Sequence, residues 1–232
     1  MEIKKLTLPL EVLRKVDEKT QSAILLLGLF QNEATWLQKI LLASMSAPVT
    51  YEAEDKARLG LMMMLIKTLS AKIHEGCNRI RTGDIAKVLS LEKHKHKAVA
   101  ILEELQKISA KDSTIHRIRK EHGSHYPMKL SLTNFTQLSD AESVFFLSSN
   151  LGDSYFLISE ISEIFKLANT HPNNLHEFEV SFSKIVKEVI HAAGVYCQAI
   201  SEIHALLFDE LPQVLLDSAD IQRAEPIRIN YF

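Results

Sequence analysis

The chain has few of the residues that form turns. Its 232 residues include only seven glycines and six prolines. An all-β fold needs frequent turns, and glycine and proline are among the usual turn formers, so this scarcity argues against that class. The apolar fraction of 46% and the charged fraction of 24% are typical of a globular protein with a sizeable core. A mainly α fold is therefore predicted.

Cysteine and long hydrophobic runs are also scarce. Cys77 and Cys197 form no CxxC motif and lie inside helical patterns, which favours small buried residues in a reducing compartment. The apolar run at residues 23–30 is too short to span a bilayer. Charges interrupt the amino-terminal stretch MEIKKLTLPLEVLRK, unlike a secretory signal. We expect a cytoplasmic protein that does not enter the membrane.

Several motifs that carry chemistry are missing. The chain has no glycine-rich phosphate loop, no nucleophile elbow, no HExxH and no Cys/His set with metal-ligand spacing. His94 and His96 are two residues apart, which puts them on different faces of a helix. Alternating strand–helix units are absent, so a dinucleotide-binding sheet is not supported. We predict neither a metal nor a cofactor.

The hydrophobic pattern predicts a single domain, residues 1–232, built as an up-and-down helical bundle. Apolar residues recur at three- and four-residue spacing over about 19–45, 52–81 and 174–210, which predicts three long helices. Residues 142–158 contain two β-favouring runs around the turn-rich SSNLGD and are predicted to form a small β-hairpin packed on the helices. The tail, 212–232, is expected to be partly disordered or to lie over the surface.

The first long helix carries a stripe of large apolar residues that we expect to face the core. The stripe contains Leu25, Leu26, Leu29, Trp36, Leu37 and Ile40. Glu33 falls on the same stripe, and burying a carboxylate alone is costly. Its side chain is therefore expected either at the edge of the core or beside a basic partner.

Charge is distributed unevenly although the formal net charge is only −2. Residues 93–129 hold nine Lys/Arg against four Asp/Glu, a net of +5, together with five histidines. Residues 173–232 hold four Lys/Arg against nine Asp/Glu, a net of −5. A local basic surface can attract phosphates even when the whole molecule is nearly neutral. The alternative is a solvated surface whose charges balance one another.

Proton-transfer and anion-binding residues concentrate in residues 112–127, DSTIHRIRKEHGSHYP. Asp112 and Ser113 are typical of a helix start, and Gly123 and Pro127 are typical of its end. Basic residues and histidines also gather at helix carboxyl ends simply because they complement the helix dipole. The segment therefore indicates either a functional site or a helix end with favourable charges.

Arg119 and His125, separated by five residues near the end of a helix, resemble the motif of the HEPN superfamily. That family carries an arginine and a histidine four to six residues apart on an up-and-down helical bundle. A polar residue often follows the arginine and an aromatic one the histidine; here Lys120 and Tyr126 take these places. The family frequently has Asn or Asp where this chain has lysine. The resemblance covers about residues 20–130.

A second register, Arg117 with His122, also satisfies the spacing, with four residues between. Tyr126 favours the first register, as does Gly123, which lets the chain leave the helix so that His125 can turn back.

The resemblance implies metal-independent cleavage of RNA at the interface of a homodimer, in proteins that often act as toxins or in defence. Histidine can move a proton between the ribose 2′-hydroxyl and the leaving oxygen, the role implied for His125. Arginine can hold the scissile phosphate and stabilise its developing charge, the role implied for Arg119. Glu75, Ser124 and Tyr126 are candidate supporting residues.

Two other functions are compatible with the same residues. A non-catalytic dimeric module would bind RNA or a protein partner through the basic segment, with RNA affinity that falls as salt rises. A purely structural or regulatory bundle would neither bind nor cleave RNA.

Overall fold

The computed structural model describes residues 3–7, 14–46, 48, 50–89, 95–123, 145–146, 155–156, 167–168, 175–208 and 220–224. The helices of this part of the chain are α1 (Glu18–Ser46), α2 (Glu52–Thr82), α3 (Asp84–Leu89), α4 (Lys95–Ile108), α5 (Thr114–Ile118) and α6 (Leu175–Phe208). A π-helical turn, Arg119–Gly123, continues directly from α5. The protein is mainly α, as predicted, and the three long helices begin and end within two residues of their predicted bounds.

Two short antiparallel pairings complete the described backbone. β1 (Ile3–Thr7) pairs with β4 (Asp220–Ala224), a contact that the sequence pattern did not predict. β2 (Phe145–Phe146) pairs with β3 (Tyr155–Phe156). The connector between β2 and β3 and the residues around them lie outside the described part of the chain, as does most of the tail. The β-hairpin at 142–158 therefore stays a prediction.

The two long helices α1 and α2 begin at side-chain caps. Asp17 Oδ1 accepts hydrogen bonds from the backbone N–H groups of Lys19 and Thr20, each at 3.1 Å. These bonds satisfy two donors that the first turn of a helix leaves without a partner. A hydrogen bond from the Thr20 side chain and the backbone bonds together lower the pKa of Asp17. At α2, Glu54 Oε2 accepts from the backbone of Thr50 at 3.1 Å and of Tyr51 at 3.3 Å.

The core forms around α2, which contacts α1, α3, α4, α5 and α6. Its buried face follows the apolar spacing of the sequence and contains the fully buried Met63, Ile66, Leu69, Ile73, Cys77 and Ile80. The buried face of α6 follows the same spacing and contains Phe182, Ile185, Val189, Tyr196, Ile200 and Leu207. Burial raises the pKa of the Cys77 thiol to about 12, so this cysteine stays protonated and acts as a small core residue.

Helix α1 packs against both α2 and α6, with residues early in α1 facing residues late in α6. Gln31 Nε2 donates to Ser201 Oγ at 3.1 Å, and Gln38 Nε2 donates to the carbonyl of Ile190 at 3.4 Å. The two helices are therefore antiparallel. Among the described helices, none is long and apolar enough to cross a bilayer.

The expected core-facing stripe of α1 is only partly confirmed, because Leu26 and Leu37 pack against the core whereas the other four residues are exposed. The exposed fractions of Leu25, Leu29, Trp36 and Ile40 are 72%, 54%, 43% and 43%. The buried face instead contains Ala23, Leu27, Ala34 and Leu41. Alanines let neighbouring helices approach closely, and Leu27 lies about 200° round the helix from Leu25 at 100° per residue. Glu33, beside the stripe, is half-buried and forms an ion pair with Lys72 at 3.0 Å.

Candidate functional site

Helix α5 is fixed at its start by a side-chain cap and along its length by core contacts. Ser113 Oγ accepts a hydrogen bond from the backbone N–H of His116 at 3.1 Å, which confirms the predicted helix start. Ile115 and Ile118 are buried, and α5 packs on α2. The Thr114 hydroxyl donates to the Glu188 carboxylate, which joins α5 to α6. The side chains between these anchors are therefore held against the carboxyl-terminal part of α2.

A pair of histidines joins α2 to α5. His74 is buried, with 8% of its surface exposed, and its Nε2 lies 3.1 Å from Nδ1 of the half-buried His116. Asn78, one turn further along α2, places its Nδ2 3.3 Å from His74 Nδ1. Two ring nitrogens at this distance hold a single proton between them, so one imidazole donates and the other accepts.

Charge and burial keep His74 neutral. Its pKa is lowered first by burial, then by the positive charge of Arg119 and by His116. A buried imidazole beside an arginine resists a proton because the charged form loses its hydration and meets a like charge. Near neutral pH, His74 is therefore a neutral hydrogen-bonding partner for His116.

The two candidate arginines have different environments. Arg119 is exposed, at the first residue of the π-helical turn and three residues after His116, so both side chains lie on one face of the helix. Arg117 is half-buried, and its NH1 donates to the carbonyl of Leu167 at 2.8 Å. Arg117 therefore helps to hold the structure together, whereas the Arg119 side chain is accessible to solvent.

The other predicted site residues are only partly described. Glu75 is exposed on α2, next in sequence to His74. The backbone of His122 belongs to the π-helical turn, but its side chain lies outside the described part of the structure. Ser124, His125 and Tyr126 lie outside it altogether. Both the Arg119–His125 pairing and the alternative with Arg117 therefore stay predictions.

The sequence interpretation assigned no role to His74, His116 or Asn78. A signal for each of the two histidines was present in the chain. His74 falls in helical register with the buried Ser70 and Cys77, so it had to lie on the core side of α2. His116 precedes Arg119 by three residues and shares its helix face. The contact between the two histidines, by contrast, spans 42 residues of sequence and follows only from the packing of α5 on α2.

Exposed basic residues surround this end of the molecule. Arg79 and Arg81 lie in the last turn of α2, and Arg119 and Lys120 open the π-helical turn. Arg81 also donates to Gln106 on α4 at 3.4 Å. These charges favour an anionic ligand next to the histidine pair.

The described residues hold no cluster of three or more His, Cys, Asp or Glu that could bind a metal. A groove of about 730 Å³ lies elsewhere, between α4 and α6. Small and apolar residues such as Ala100, Gly194 and Ala199 line it, and it contains no histidine. His74, His116, Asn78 and Arg119 together form an arrangement that could move protons and hold an anion, and this set is called the histidine site below.

Comparison with models of protein families, with curated proteins and with solved structures gave no match.

Proposed function

We propose that the protein is a HEPN-like endoribonuclease that cleaves RNA without a metal ion, with Arg119 as the phosphate-binding residue. The observation that carries this proposal is the exposed guanidinium of Arg119, one helical turn from a histidine that contacts a second, buried histidine. An arginine that holds a phosphate, beside imidazoles that move protons, is what cleavage by the substrate's own 2′-hydroxyl requires. The arginine–histidine spacing that resembles the HEPN motif supports the same function.

His125 is the proposed acid/base residue. It moves a proton between the ribose 2′-hydroxyl and the leaving 5′-oxygen, while the 2′-oxygen attacks phosphorus and the bond from phosphorus to the 5′-oxygen breaks. The 5′-oxygen leaves with a proton, so the products are a 2′,3′-cyclic phosphate and a 5′-hydroxyl. Arg119 stabilises the charge that develops on the phosphate during this step.

We also propose that the protein forms a homodimer through the exposed stripe on α1. Leu25, Leu29, Trp36 and Ile40 cover about 22 Å of helix, at 1.5 Å per residue. Each is exposed by two-fifths or more, and a contiguous apolar patch of this kind often marks an interaction surface.

The stripe fits a second copy of itself because it carries little net charge. Glu33 beside it is paired with Lys72 of the same chain, so two stripes can meet without like-charge repulsion. The four side chains present on the order of 400 Å², about half of one partner's share of a standard interface. The Glu33–Lys72 ion pair places α1 and α2 side by side so that Met64 of α2 lies at about the same height as Ile40 of α1. The Met64 side chain is 56% exposed and extends the apolar surface.

Cleavage of a mixed RNA in excess chelator tests the ribonuclease proposal. Wild type, Arg119→Ala and His125→Ala are compared, with Arg14→Ala and His176→Ala as matched controls at exposed positions outside the site. The proposal predicts cleavage by wild type and both controls and a loss of about 100-fold or more in the two site variants. A wild type that leaves RNA intact, or site variants that cut as well as the controls, would refute it.

Non-catalytic RNA binding is the second candidate function, and the exposed Arg79, Arg81, Arg119 and Lys120 favour it. This function predicts RNA affinity that falls steeply with salt and no cleavage at any pH. Each phosphate contact contributes about 0.7 to the slope of log affinity against log salt for a single strand, so Arg119→Ala should lower the slope by roughly that amount. If the protein neither binds nor cleaves RNA, the remaining interpretation is a purely structural or regulatory bundle.

A further inference from the structure

We infer that His116 is a second acid/base residue of the histidine site. His74 and Asn78 are the positioning residues that set the tautomer of His116. This inference rests on the proposed ribonuclease function and adds a division of roles to it. His116 takes the proton from the 2′-hydroxyl, and His125 gives a proton to the leaving 5′-oxygen.

The position of His116 supports its part in the reaction. Its ring is half-buried, so one side meets the core while the other remains accessible. Its Nδ1 lies 3.1 Å from His74, and no hydrogen bond to its Nε2 is present among the described residues. Because Arg119 follows three residues later on the same helix face, a phosphate held by that guanidinium lies near His116.

Two side-chain hydrogen bonds connect Asn78, His74 and His116, and the donor and acceptor in each depend on the tautomers of the two histidines. When the Asn78 amide is turned by 180° from the placement in which its Nδ2 faces His74, a change that preserves its shape, the amide oxygen accepts from His74 Nδ1–H, and His74 Nε2 accepts from His116 Nδ1–H. His116 Nε2 is then left with a lone pair and can act as a base. With Nδ2 facing His74 the direction is the opposite, because Asn78 donates to His74 Nδ1 and His74 Nε2–H donates to His116 Nδ1.

The hydrogen-bond arrangement in which His116 Nδ1–H donates to His74 leaves His116 Nε2 free to act as a base. The same arrangement is compatible with a protonated His116. A protonated His116 carries hydrogen on both ring nitrogens, so its Nδ1 must donate to His74. In the opposite direction, His74 Nε2–H would point at His116 Nδ1–H. His74 is suited to accept because burial and the Arg119 charge lower its pKa and keep it neutral. We therefore assign Asn78 as acceptor, His74 as relay and His116 as base.

Among the described residues, few charged groups act on His74 and His116. Arg119 on the π-helical turn and His116 on α5 act on His74. Glu188 on α6 bonds Thr114, and Glu75 on α2 is exposed. A carboxylate that would hold His74 protonated is not present in this set.

The step balances without a further reactant. The 2′-hydroxyl proton moves to His116 Nε2, the new bond joins the 2′-oxygen to phosphorus, and the bond to the 5′-oxygen breaks as His125 delivers its proton there. The proton on His116 then returns to His125 through solvent, which restores both residues for the next turnover.

Kinetics of His116→Ala and His74→Phe, measured with full-length protein on an RNA oligonucleotide in chelator, test the inference. His116→Ala should lower kcat by about 100-fold with little change in KM, and should remove the acid limb of the pH–rate profile. His74→Phe keeps the size of the ring but cannot accept a proton, so kcat should fall by about tenfold and the acid limb should move. His176→Ala, an exposed histidine on α6, is the control.

Nitrogen NMR of the imidazoles supplies a readout that does not depend on activity. In wild type, His116 should show a protonated Nδ1 and an unprotonated Nε2, whereas in His74→Phe it should show a mixture of tautomers. A His116 ring with protonated Nε2 in wild type overturns the assigned direction.

The two proposals fail in different ways. If Arg119→Ala and His125→Ala abolish cleavage while His116→Ala cuts like wild type, the inference is overturned and the ribonuclease proposal stands. If wild type does not cleave RNA, the proposed function fails and the inference fails with it. His116→Gln, which keeps a polar side chain in α5, repeats the test should the alanine variant not fold.

Discussion

The hydroxyl of Tyr196 on α6 occupies the space in which a side chain of residue 76 on α2 would lie. A Cβ added to Gly76 would overlap the phenol oxygen and its ring carbon. Tyr196 is 1% exposed and packed in the core, so it cannot turn away. The glycine therefore sets how closely α2 and α6 approach, and with it the position of His74 two residues earlier on α2.

Gly76→Ala should destabilise the protein although alanine is the better helix former. We expect a loss of about 1–3 kcal/mol in the free energy of unfolding, because overpacking forces the two helices apart. Gly28→Ala is the matched control: Gly28 is also helical, and a Cβ there meets nothing within 4 Å. That variant should gain about 0.5–1 kcal/mol. Urea unfolding measures both, and equal effects would contradict the close contact.

Tyr196→Phe should leave stability unchanged or raise it by up to about 1 kcal/mol. The Tyr196 hydroxyl is buried and finds no hydrogen-bond partner among the described residues, so its removal loses no bond. Burial also raises the pKa of the phenol, which keeps it neutral throughout the accessible pH range. Thermal unfolding at neutral pH gives the comparison. A loss of more than about 1 kcal/mol would show that the hydroxyl is in fact bonded.

Stability should fall as the pH drops through the range in which free histidine titrates. The pKa of His74 is lower in the folded protein than the value of about 6.5 expected in the unfolded chain. The unfolded state therefore binds more protons below about pH 6.5, and the free energy of unfolding decreases from there down to the folded pKa of His74. The stability that this histidine contributes is fully present above about pH 6.5.

Urea unfolding between pH 7.5 and 5 measures this effect. In His74→Gln the decrease should be smaller, since glutamine does not titrate, whereas His176→Gln should behave like wild type. A His74→Gln protein with an unchanged slope would mean that another group carries the pH dependence.

Substituting Arg117 should lower mainly the stability of the protein, whereas substituting Arg119 should lower mainly its affinity for RNA. Arg117→Ala removes a charged hydrogen bond to the carbonyl of Leu167 and should cost about 1.5–3 kcal/mol of stability. Arg119→Ala removes an exposed side chain and should change stability by no more than about 0.5 kcal/mol while weakening RNA binding. Unfolding and RNA titrations on both variants test this pair. Loss of RNA affinity in a folded Arg117→Ala alone would favour the alternative register with His122.

Leu29→Glu should dissociate the proposed dimer. A carboxylate in the middle of the α1 stripe would face its copy across the interface, which is unfavourable for like charges. Val180→Glu on α6 is the control, because Val180 is an equally exposed apolar residue outside the stripe, at 57% against 54% for Leu29. Sedimentation equilibrium reports the mass. A wild type that stays monomeric at high concentration, or two variants with the same mass, would contradict the interface.

The long helices could be predicted because local periodicity determines them. In α2 and α6 a continuous apolar face runs along the helix and is buried, although Met64 and Val180 lie outside it and are exposed. Helix α1 has apolar residues on more than one face, so periodicity alone selected Leu25 and Trp36, whereas the small Ala34 determines where neighbouring helices pack. A pattern of hydrophobicity shows that a helix is amphipathic but does not show which face its neighbours take.

The candidate site could be predicted only in part. Arg119 was identified from its place in a basic, histidine-rich helix end, and its exposure agrees with a ligand-binding role. The contact between His74 and His116 depends on the docking of α5 against α2. Contacts of that kind arise from tertiary packing, and no local motif encodes them.

The dependence of cleavage on the 2′-hydroxyl tests the central claim most directly. An RNA oligonucleotide and its 2′-deoxy counterpart are incubated with wild-type protein in excess chelator, and the ends of the products are analysed. The account predicts cleavage of the RNA alone, with 2′,3′-cyclic phosphate and 5′-hydroxyl ends. Cleavage of both strands, or of neither, would contradict it.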